Sequence, residues 1–307
     1  MKKIVIQIIT YNQEDLIRRA LDSILCQKEW GLYRIVVSDD CSKDRTWEVL
    51  QEYQQKYPDI IDAHRNEHNL GIYPNLVKSD SYLPDDFDLL GMIAGDDSLC
   101  DGYFEGVQKL IEEQGVDTTE AIGIISDWIF VKQGGKEVVV KQDAVLFGHN
   151  LWSLKIRGKL AARSLLISKK LFDRFEPGLE GKGLNLTESH RDAQAFLYAD
   201  KMYYLPKATS KYYAGIGVSV SLSNKKSDYS TKQAIEKWEY DIEHYVKDKR
   251  DMHYAQFGLM QAQHYLKPSL GKIPKILYHY GKGQLKGCRD DLRTTAKVIY
   301  YLLFTLF

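Results

Sequence analysis

Residues 88–98 read DLLGMIAGDDS: an apolar run from Leu89 to Ala94 that stops on a glycine and two adjacent carboxylates, Asp96 and Asp97. The run has the length and composition of a buried strand. Two like charges side by side repel each other and favour neither helix nor sheet. The same arrangement occurs twice earlier. Ile4–Ile9 (IVIQII) runs into Thr10-Tyr11-Asn12, and Tyr33–Ser38 (YRIVVS) runs into Asp39-Asp40.

Helical patterns separate these strands, over Gln13–Gln27, Thr46–Tyr57 (with Ser42 as its cap), Asn75–Ser81 and Gly102–Gln114. A short strand is expected at Ile60–Ala63. Alternation of this kind predicts an α/β fold: a mixed, mostly parallel central sheet flanked by helices. Ala121–Val131 and Glu137–Lys141 flank Gly134-Gly135 and read as an added hairpin. Further on, Leu165–Ser168, Met202–Leu205 and Thr209–Tyr213 read as short strands. Between them lie the loop EPGLEGKGLNLTESHRD and a helix near Asp192–Asp200. From Asp228 the pattern is helical, broken at Pro268 and Pro274. The expected partition is an α/β domain over 1–220, with halves 1–115 and 116–220, and a helical extension over 221–307.

The 307 residues include 42 Lys+Arg and 42 Asp+Glu, so no net charge draws the chain toward nucleic acid. The four cysteines show no C-x-x-C spacing and read as reduced thiols of a cytoplasmic protein. The apolar stretch at Ile4 is too short for a signal peptide, and no apolar run reaches the ~18 residues of a spanning helix.

Three polar motifs just past the carboxyl ends of parallel strands mark a ligand crevice. Neither G-x-G-x-x-G nor a P-loop pattern is present, so a nucleotide here is held by something other than a glycine-rich cradle. Adjacent carboxylates at a strand end suit a hard divalent cation, Mg²⁺ or Mn²⁺, which shares its shell between carboxylates and substrate phosphates. The plainer alternative makes Asp96 a helix cap and leaves Asp97 solvated.

ITYNQEDLIRRALDSILCQ, IVVSDDCSKDRT, NEHNLGIYPNL and IAGDDSLCDGYFEGVQKLI follow one another in the order and spacing of family 2 glycosyltransferases with the GT-A fold. The chain resembles that family well over residues 3–115 and more loosely to about 220. The resemblance implies an inverting, metal-dependent transferase that moves a sugar from a nucleotide-diphosphate donor, a UDP-sugar, to a saccharide or lipid-linked saccharide. It further implies bacterial surface-polysaccharide assembly (capsule, lipopolysaccharide O-antigen or cell-wall glycan).

Residue by residue, the resemblance places Thr10, Tyr11 and Asn12 in the nucleotide-sugar pocket, with the Tyr11 ring against the base. Asp39 or Asp40 accepts a hydrogen bond from base or ribose, and Asn69 and Gly71 form the N-x-G segment, here without the arginine that often follows. Asp96-Asp97 corresponds to the metal-binding D-x-D element, although Ala94 stands where the family has an aspartate. Asp97 is expected on the metal and Asp96 nearer the donor sugar or ribose, with Asp96 as the alternative metal ligand. The catalytic base of the resemblance comes from a Glu-Asp pair opening a helix. The matching stretch is ESHRDAQAFLYADKMYYLPKA, with Arg191 where glutamate would stand. Asp192 is the first choice for base, with Glu188 and His190 as alternatives. Arg191 itself could pair with phosphate or with Glu188.

Lys286, Arg289, Arg293 and Lys297 share one helical stripe leading into VIYYLLFTLF, residues 298–307. Such a helix suits peripheral contact, over residues 286–307, with the inner face of the cytoplasmic membrane. A helix docked on the core or on a homodimer partner is the alternative. Two rival functions stay open: a sugar-nucleotidyltransferase, which would want a glycine-rich N-terminal loop, and a catalytically idle nucleotide- or glycan-binding protein of the same fold.

Overall fold

A computed structural model describes residues 1–142, 152, 163–176, 189–216, 228–267, 269–284, 295, 298, 299 and 302. The chain divides into two compact units. The first comprises Met1–Ala144, Leu160–Lys182 and Thr187–Ser221; the second comprises Val145–Lys159, Gly183–Leu186 and Leu222–Phe307.

Among the described residues the first unit is built on a nine-stranded sheet: β1 (Ile4–Thr10), β2 (Leu32–Asp39), β3 (Ile61–Arg65), β4 (Leu89–Ala94), β5 (Ser98–Leu99), β6 (Ile122–Val131), β7 (Glu137–Val140), β8 (Leu165–Ser168) and β9 (Lys201–Tyr213). Its order is β3-β2-β1-β4-β8-β6-β9-β5, with β7 paired to β6. β3, β2, β1 and β4 run parallel, as do β6 and β9; the β4–β8, β6–β8, β6–β7 and β5–β9 pairs are antiparallel. The α/β class and the mostly parallel sheet expected from the sequence are what the structure shows.

Both faces of the sheet are covered, which is why β1 reads as almost continuously apolar. Ile4, Ile6 and Ile8 pack with α1 (Ile17–Leu25), α2 (Thr46–Lys56) and α4 (Tyr103–Gln114). The spacing of Ile17, Ala20, Leu21, Ile24 and Leu25 puts one stripe of α1 into that core. Val5, Val36, Leu90 and Ile167 face the other way, against Leu171 of α5 (Lys169–Phe172) and Ala195 of α6 (Ser189–Tyr198). α3 (Ile72–Ser79) follows β3.

Three local expectations are corrected. Ser42 does not cap α2; the Asp44 carboxylate accepts the Thr46 amide at 3.0 Å instead, and Ser42 is turned toward Asp39. α3 starts at Ile72, ahead of the expected Asn75, because Pro74 is tolerated in a first turn whose N–H groups have no helical acceptor. The two short strands expected at 202–205 and 209–213 are one strand. A register irregularity between Ser126 and Trp128 lets β9 run through Pro206.

The second unit contains α7 (Asp228–His244), α8 (Lys249–Leu266) and α9 (Ile273–Gly283). Asp248 caps α8, accepting the Arg250 amide at 2.7 Å and the Asp251 amide at 3.0 Å. Phe257, Ile276, Tyr280 and Leu302 form its buried cluster, with Val298 packed against it. Leu302 is fully buried, its carbonyl 3.1 Å from His264 Nε2. Val298 and Leu302, the two described members of the apolar tip in that cluster, therefore spend their side chains on their own chain. Among the described residues no helix is long and apolar enough to cross a membrane.

Candidate active site

The three polar motifs leave the sheet side by side. Thr10 is in register with Asp39, and Ile9 with Ala94. The chain turns at Asn12, whose φ of 53° is a left-handed conformation that asparagine tolerates better than most residues. Asn12 Oδ1 accepts the Lys43 amide at 2.7 Å, and its own N–H donates to Ser42 Oγ at 2.9 Å. Thr10 is buried and donates from Oγ1 to Gln13 Oε1 at 2.7 Å, while Tyr11 is half-buried.

Gly95 is where the first and fourth strands' loops touch. Its N–H donates to the Ile9 carbonyl at 3.2 Å. A Cβ there would run into Gln13 Oε1 and come within 3.0 Å of Thr10 Oγ1 and of Ile17 Cδ1. Only glycine lets the acid pair approach this closely.

Asp96 and Asp97 follow. The Asp96 carbonyl accepts from Arg19 Nη2, and Asp97 Oδ1 accepts the Tyr213 amide at 3.3 Å. The Arg19 guanidinium lies 3.7 Å from the Tyr213 ring centroid, and Arg163 lies 4.0 Å from that of Tyr212. Asp97 is only 9% exposed. Burial, and then the charge of Asp96, push its carboxyl up to about 7, against the opposing pull of Arg163 and Arg19. Burial also raises Asp96, opposed by its own amide and by Arg19 and Arg163. An acid pair held in this state is short of positive charge. It has the chemistry for a hard divalent cation whose remaining ligands come from a substrate phosphate. Among the described residues no third His, Cys, Asp or Glu joins the pair to close a protein-only cation site.

Asp39 and Asp40 are already engaged by their own chain. Asp39, fully buried, accepts from Ser42 Oγ, from the Ser42 amide at 3.2 Å, and pairs with Arg65 Nε at 3.4 Å. Burial raises its carboxyl despite those partners. Asp40 Oδ1 accepts from Asn66 Nδ2 at 2.9 Å and the Leu70 amide at 2.8 Å; Oδ2 accepts the Gly71 amide at 2.8 Å. Asn69 Nδ2 donates to the Asp40 carbonyl at 3.2 Å. Gly71 has a φ of 89° with open space at its Cβ position, so the backbone and not crowding calls for glycine. Asp40 thus fixes the Asn69–Gly71 turn, and Oδ2 keeps a lone pair for one further donor.

Asp192 sits in the first turn of α6 and lines a cleft with Gln7, Gly91, Met92, Phe175 and Arg191. From Met92, β4 continues through Ala94 into Gly95-Asp96-Asp97. Arg191 Nη2 donates to Asp80 Oδ2 and its Nη1 to Gln7 Oε1 at 2.9 Å. His190 is buried, edge-on to Tyr73 at 5.5 Å, its Nε2 3.0 Å from Gln194 Nε2. Glu188 lies outside the described residues, as does most of the 286–307 stretch.

Sequence reasoning missed Arg19, Arg163 and Asp80. Arg163 and Asp80 belong to no motif, and Arg19, though inside the first, carries no role there; each reaches its place through tertiary packing. Gln7 did carry a signal, a polar residue inside IVIQIIT. Also unanticipated is an aromatic wall near the acid pair. Phe130 and Tyr212 stack at 5.8 Å, with Trp128 edge-on to both.

Comparison with known proteins bears on this arrangement. The family model described as "Glycosyl transferase family 2" matches residues 5–128. An uncharacterized protein of Mycobacterium tuberculosis is 34% identical over 67 residues, covering 22% of this chain and 19% of that protein. The poly(ribitol-phosphate) beta-glucosyltransferase of Bacillus spizizenii is 37% identical over 82 residues, covering 26% and 12%. The matched stretches thus span about a fifth or less of those two relatives. Among solved structures, Staphylococcus aureus TarS 1-349 in complex with UDP-GlcNAc aligns with a TM-score of 0.61 and 16% identity over 92% of this chain and 80% of that one. The mannosyltransferase PcManGT of Pyrobaculum calidifontis, in complex with GDP-Man and Mn²⁺, aligns with a TM-score of 0.58 and 14% identity over 99% and 86%. At these identities the structural likeness establishes the fold.

Proposed function

We propose, from the match of residues 5–128 to the glycosyl transferase family 2 model, that the chain is an inverting glycosyltransferase moving a sugar from a UDP-sugar to a saccharide or lipid-linked saccharide. The observation that carries this reading is the acid pair. Asp96 and Asp97 are delivered by a buried strand to the mouth of a parallel sheet, where Asp97 is held short of positive charge.

In this reading Asp97 holds Mn²⁺ or Mg²⁺ on the donor diphosphate and Asp96 faces the donor sugar or ribose. The cation, when bound, stabilises charge developing on the leaving diphosphate. Arg19 and Arg163 keep the pair from repelling itself apart before the donor arrives. Thr10, Tyr11 and Asn12 border the base pocket. Asp40 shapes the Asn69–Gly71 wall and has one acceptor position left for base or ribose. Asp192 takes the proton from the attacking acceptor hydroxyl. The aromatic wall at Trp128, Phe130 and Tyr212 suits the apolar faces of sugar rings. The setting proposed here is polysaccharide assembly at a bacterial surface, and a relative named for glucosyl transfer to poly(ribitol-phosphate) supports it.

Release of UDP from a panel of UDP-sugars, with and without Mn²⁺, tests this reading. Cation-dependent release that disappears in Asp97→Ala and Asp192→Asn supports it. Tight nucleotide binding with no turnover of any donor would instead indicate an idle binding protein of the same fold.

A further inference from the structure

β1 carries one polar side chain within its apolar run, Gln7, and it is fully buried. A buried amide needs partners on both ends. Gln7 Nε2 donates to Ser79 Oγ at 2.6 Å and to Asp80 Oδ1 at 2.9 Å, and its Oε1 accepts from Arg191 Nη1 at 2.9 Å. Arg191 Nη2 donates to Asp80 Oδ2, which closes the ring. The Arg191 side chain is only 11% exposed. Three elements meet in this ring: the middle of β1, the end of α3 and the first turn of α6.

A half-buried ion pair of this kind, with the Asp80 side chain 24% exposed, seldom adds much net stability over an apolar replacement. What it does provide is direction. The planar guanidinium places two N–H groups on two fixed acceptors, so it sets the rotation of the helix turn that carries it. The next residue along that turn is Asp192. At its other end α3 follows directly on Gly71, whose amide is held by Asp40. One rigid helix therefore runs from the turn fixed by Asp40 to the residue that fixes Arg191.

We propose that the Asp80–Arg191 pair, braced by Gln7, is a positioning device that aims Asp192 at the acceptor hydroxyl. It occupies the place where the resemblance would have put a glutamate. The inference rests on the reading of Asp192 as base. Because Asp80 and Arg191 neutralise each other, Asp192 has no uncompensated charge beside it from this source.

The test measures kcat, donor KM and the kcat–pH profile of the full chain, using a donor that the wild type turns over. The variants are Asp80→Asn, Arg191→Met, Arg191→Lys and Asp192→Asn. Misaiming the base lowers kcat on the order of 10²-fold in Asp80→Asn and Arg191→Met, with donor KM nearly unchanged. Asp80→Asn leaves Arg191 uncompensated and moves the acid limb to lower pH; Arg191→Met leaves Asp80 and moves it to higher pH. Arg191→Lys keeps the charge but loses the fork, so kcat falls while the limb stays put. A merely structural pair would lower the folded fraction, read from circular dichroism, without moving the limb in opposite directions. Wild-type kcat and limb in both single-charge variants, with Asp192→Asn silent, would overturn the positioning role and leave the base assignment standing. An active Asp192→Asn overturns the base assignment, and the positioning role with it.

Discussion

The backbone N–H of Tyr213 donates to Asp97 Oδ1 at 3.3 Å, tying the last residue of β9 to the second carboxylate of the acid pair. The two residues are far apart in sequence, and the Tyr213 ring also seats the Arg19 guanidinium. A carboxylate fixed in this way cannot swing into solvent to escape its neighbour. Its electrostatic tension is therefore built into the fold until a positive charge relieves it.

Stability should report that tension directly. The folded-state value of Asp97, about 7, lies above the ordinary 3.8. Between those two values the folded chain keeps a proton that the unfolded chain sheds, so stability falls as pH rises through that window. Burial also raises Asp39 and Asp80, which adds to the same slope. Thermal melts without cation or nucleotide are expected to give a higher Tm at pH 5 than at pH 7.5. Asp97→Asn should flatten the slope and raise Tm at pH 7.5. A wild-type Tm that climbs from pH 5 to 7.5, unchanged by Asp97→Asn, would count against the strained pair.

Gly95 and Gly71 should fail differently when given a methyl group. Gly95→Ala pushes into Gln13, Thr10 and Ile17. Overpacking of that kind costs about 1–3 kcal/mol and displaces the acid pair, so UDP release should fall with it. Gly71→Ala meets no neighbour but must hold a φ of 89°, which costs roughly 1–2 kcal/mol. Urea denaturation of the two variants beside the wild type, combined with the UDP-release assay, separates the two effects.

Asp40→Ala leaves the amides of Leu70 and Gly71 without their acceptor and removes one of the two acceptors of the Asn66 side-chain amide. Orphaned donors at buried or half-buried positions cost about 1–3 kcal/mol each when water cannot replace the acceptor. The variant should lose a few kcal/mol in urea denaturation, and UDP binding by calorimetry should weaken as the Asn69–Gly71 turn loosens. Wild-type stability in Asp40→Ala would show that the turn holds itself.

In the helical unit, Leu302→Ala should cost about 2–5 kcal/mol, since Leu302 is fully buried among Phe257, Ile276 and Tyr280. Ile299→Ala, at a position 40% exposed, should change stability far less. Unfolding monitored by tryptophan fluorescence would show the difference; equal effects would mean that Leu302 does not dock as described.

Much of this was legible in the residues because it depends on local period and strand ends. The apolar runs at Ile4, Ile35 and Leu89, each closed by polar residues, foretell parallel strands and a crevice beyond them. The fate of the individual side chains was not legible. Asp39 and Asp40 look alike in sequence, yet one turns inward onto Ser42 and the other outward onto the amides of Leu70 and Gly71. Arg191 gives no hint that its partner is Asp80, because that pairing depends on α3 and α6 packing on the same face of the sheet. Arg163 follows no motif and is brought to the acid pair only by the β8 strand it precedes. The antiparallel insertion of β8 between β4 and β6 was equally hidden, since a four-residue apolar run carries no direction.

The central claim is that the acid pair exists to share a cation with a nucleotide diphosphate, with Asp97 as the ligand. Mn²⁺ titration followed by electron paramagnetic resonance, with and without UDP, addresses it most directly. The account predicts that UDP tightens Mn²⁺ binding at least about tenfold, equivalent to about 1.4 kcal/mol, and that Asp97→Ala abolishes the gain. Mn²⁺ binding that ignores UDP, or that survives Asp97→Ala and disappears only in Asp96→Ala, would contradict it.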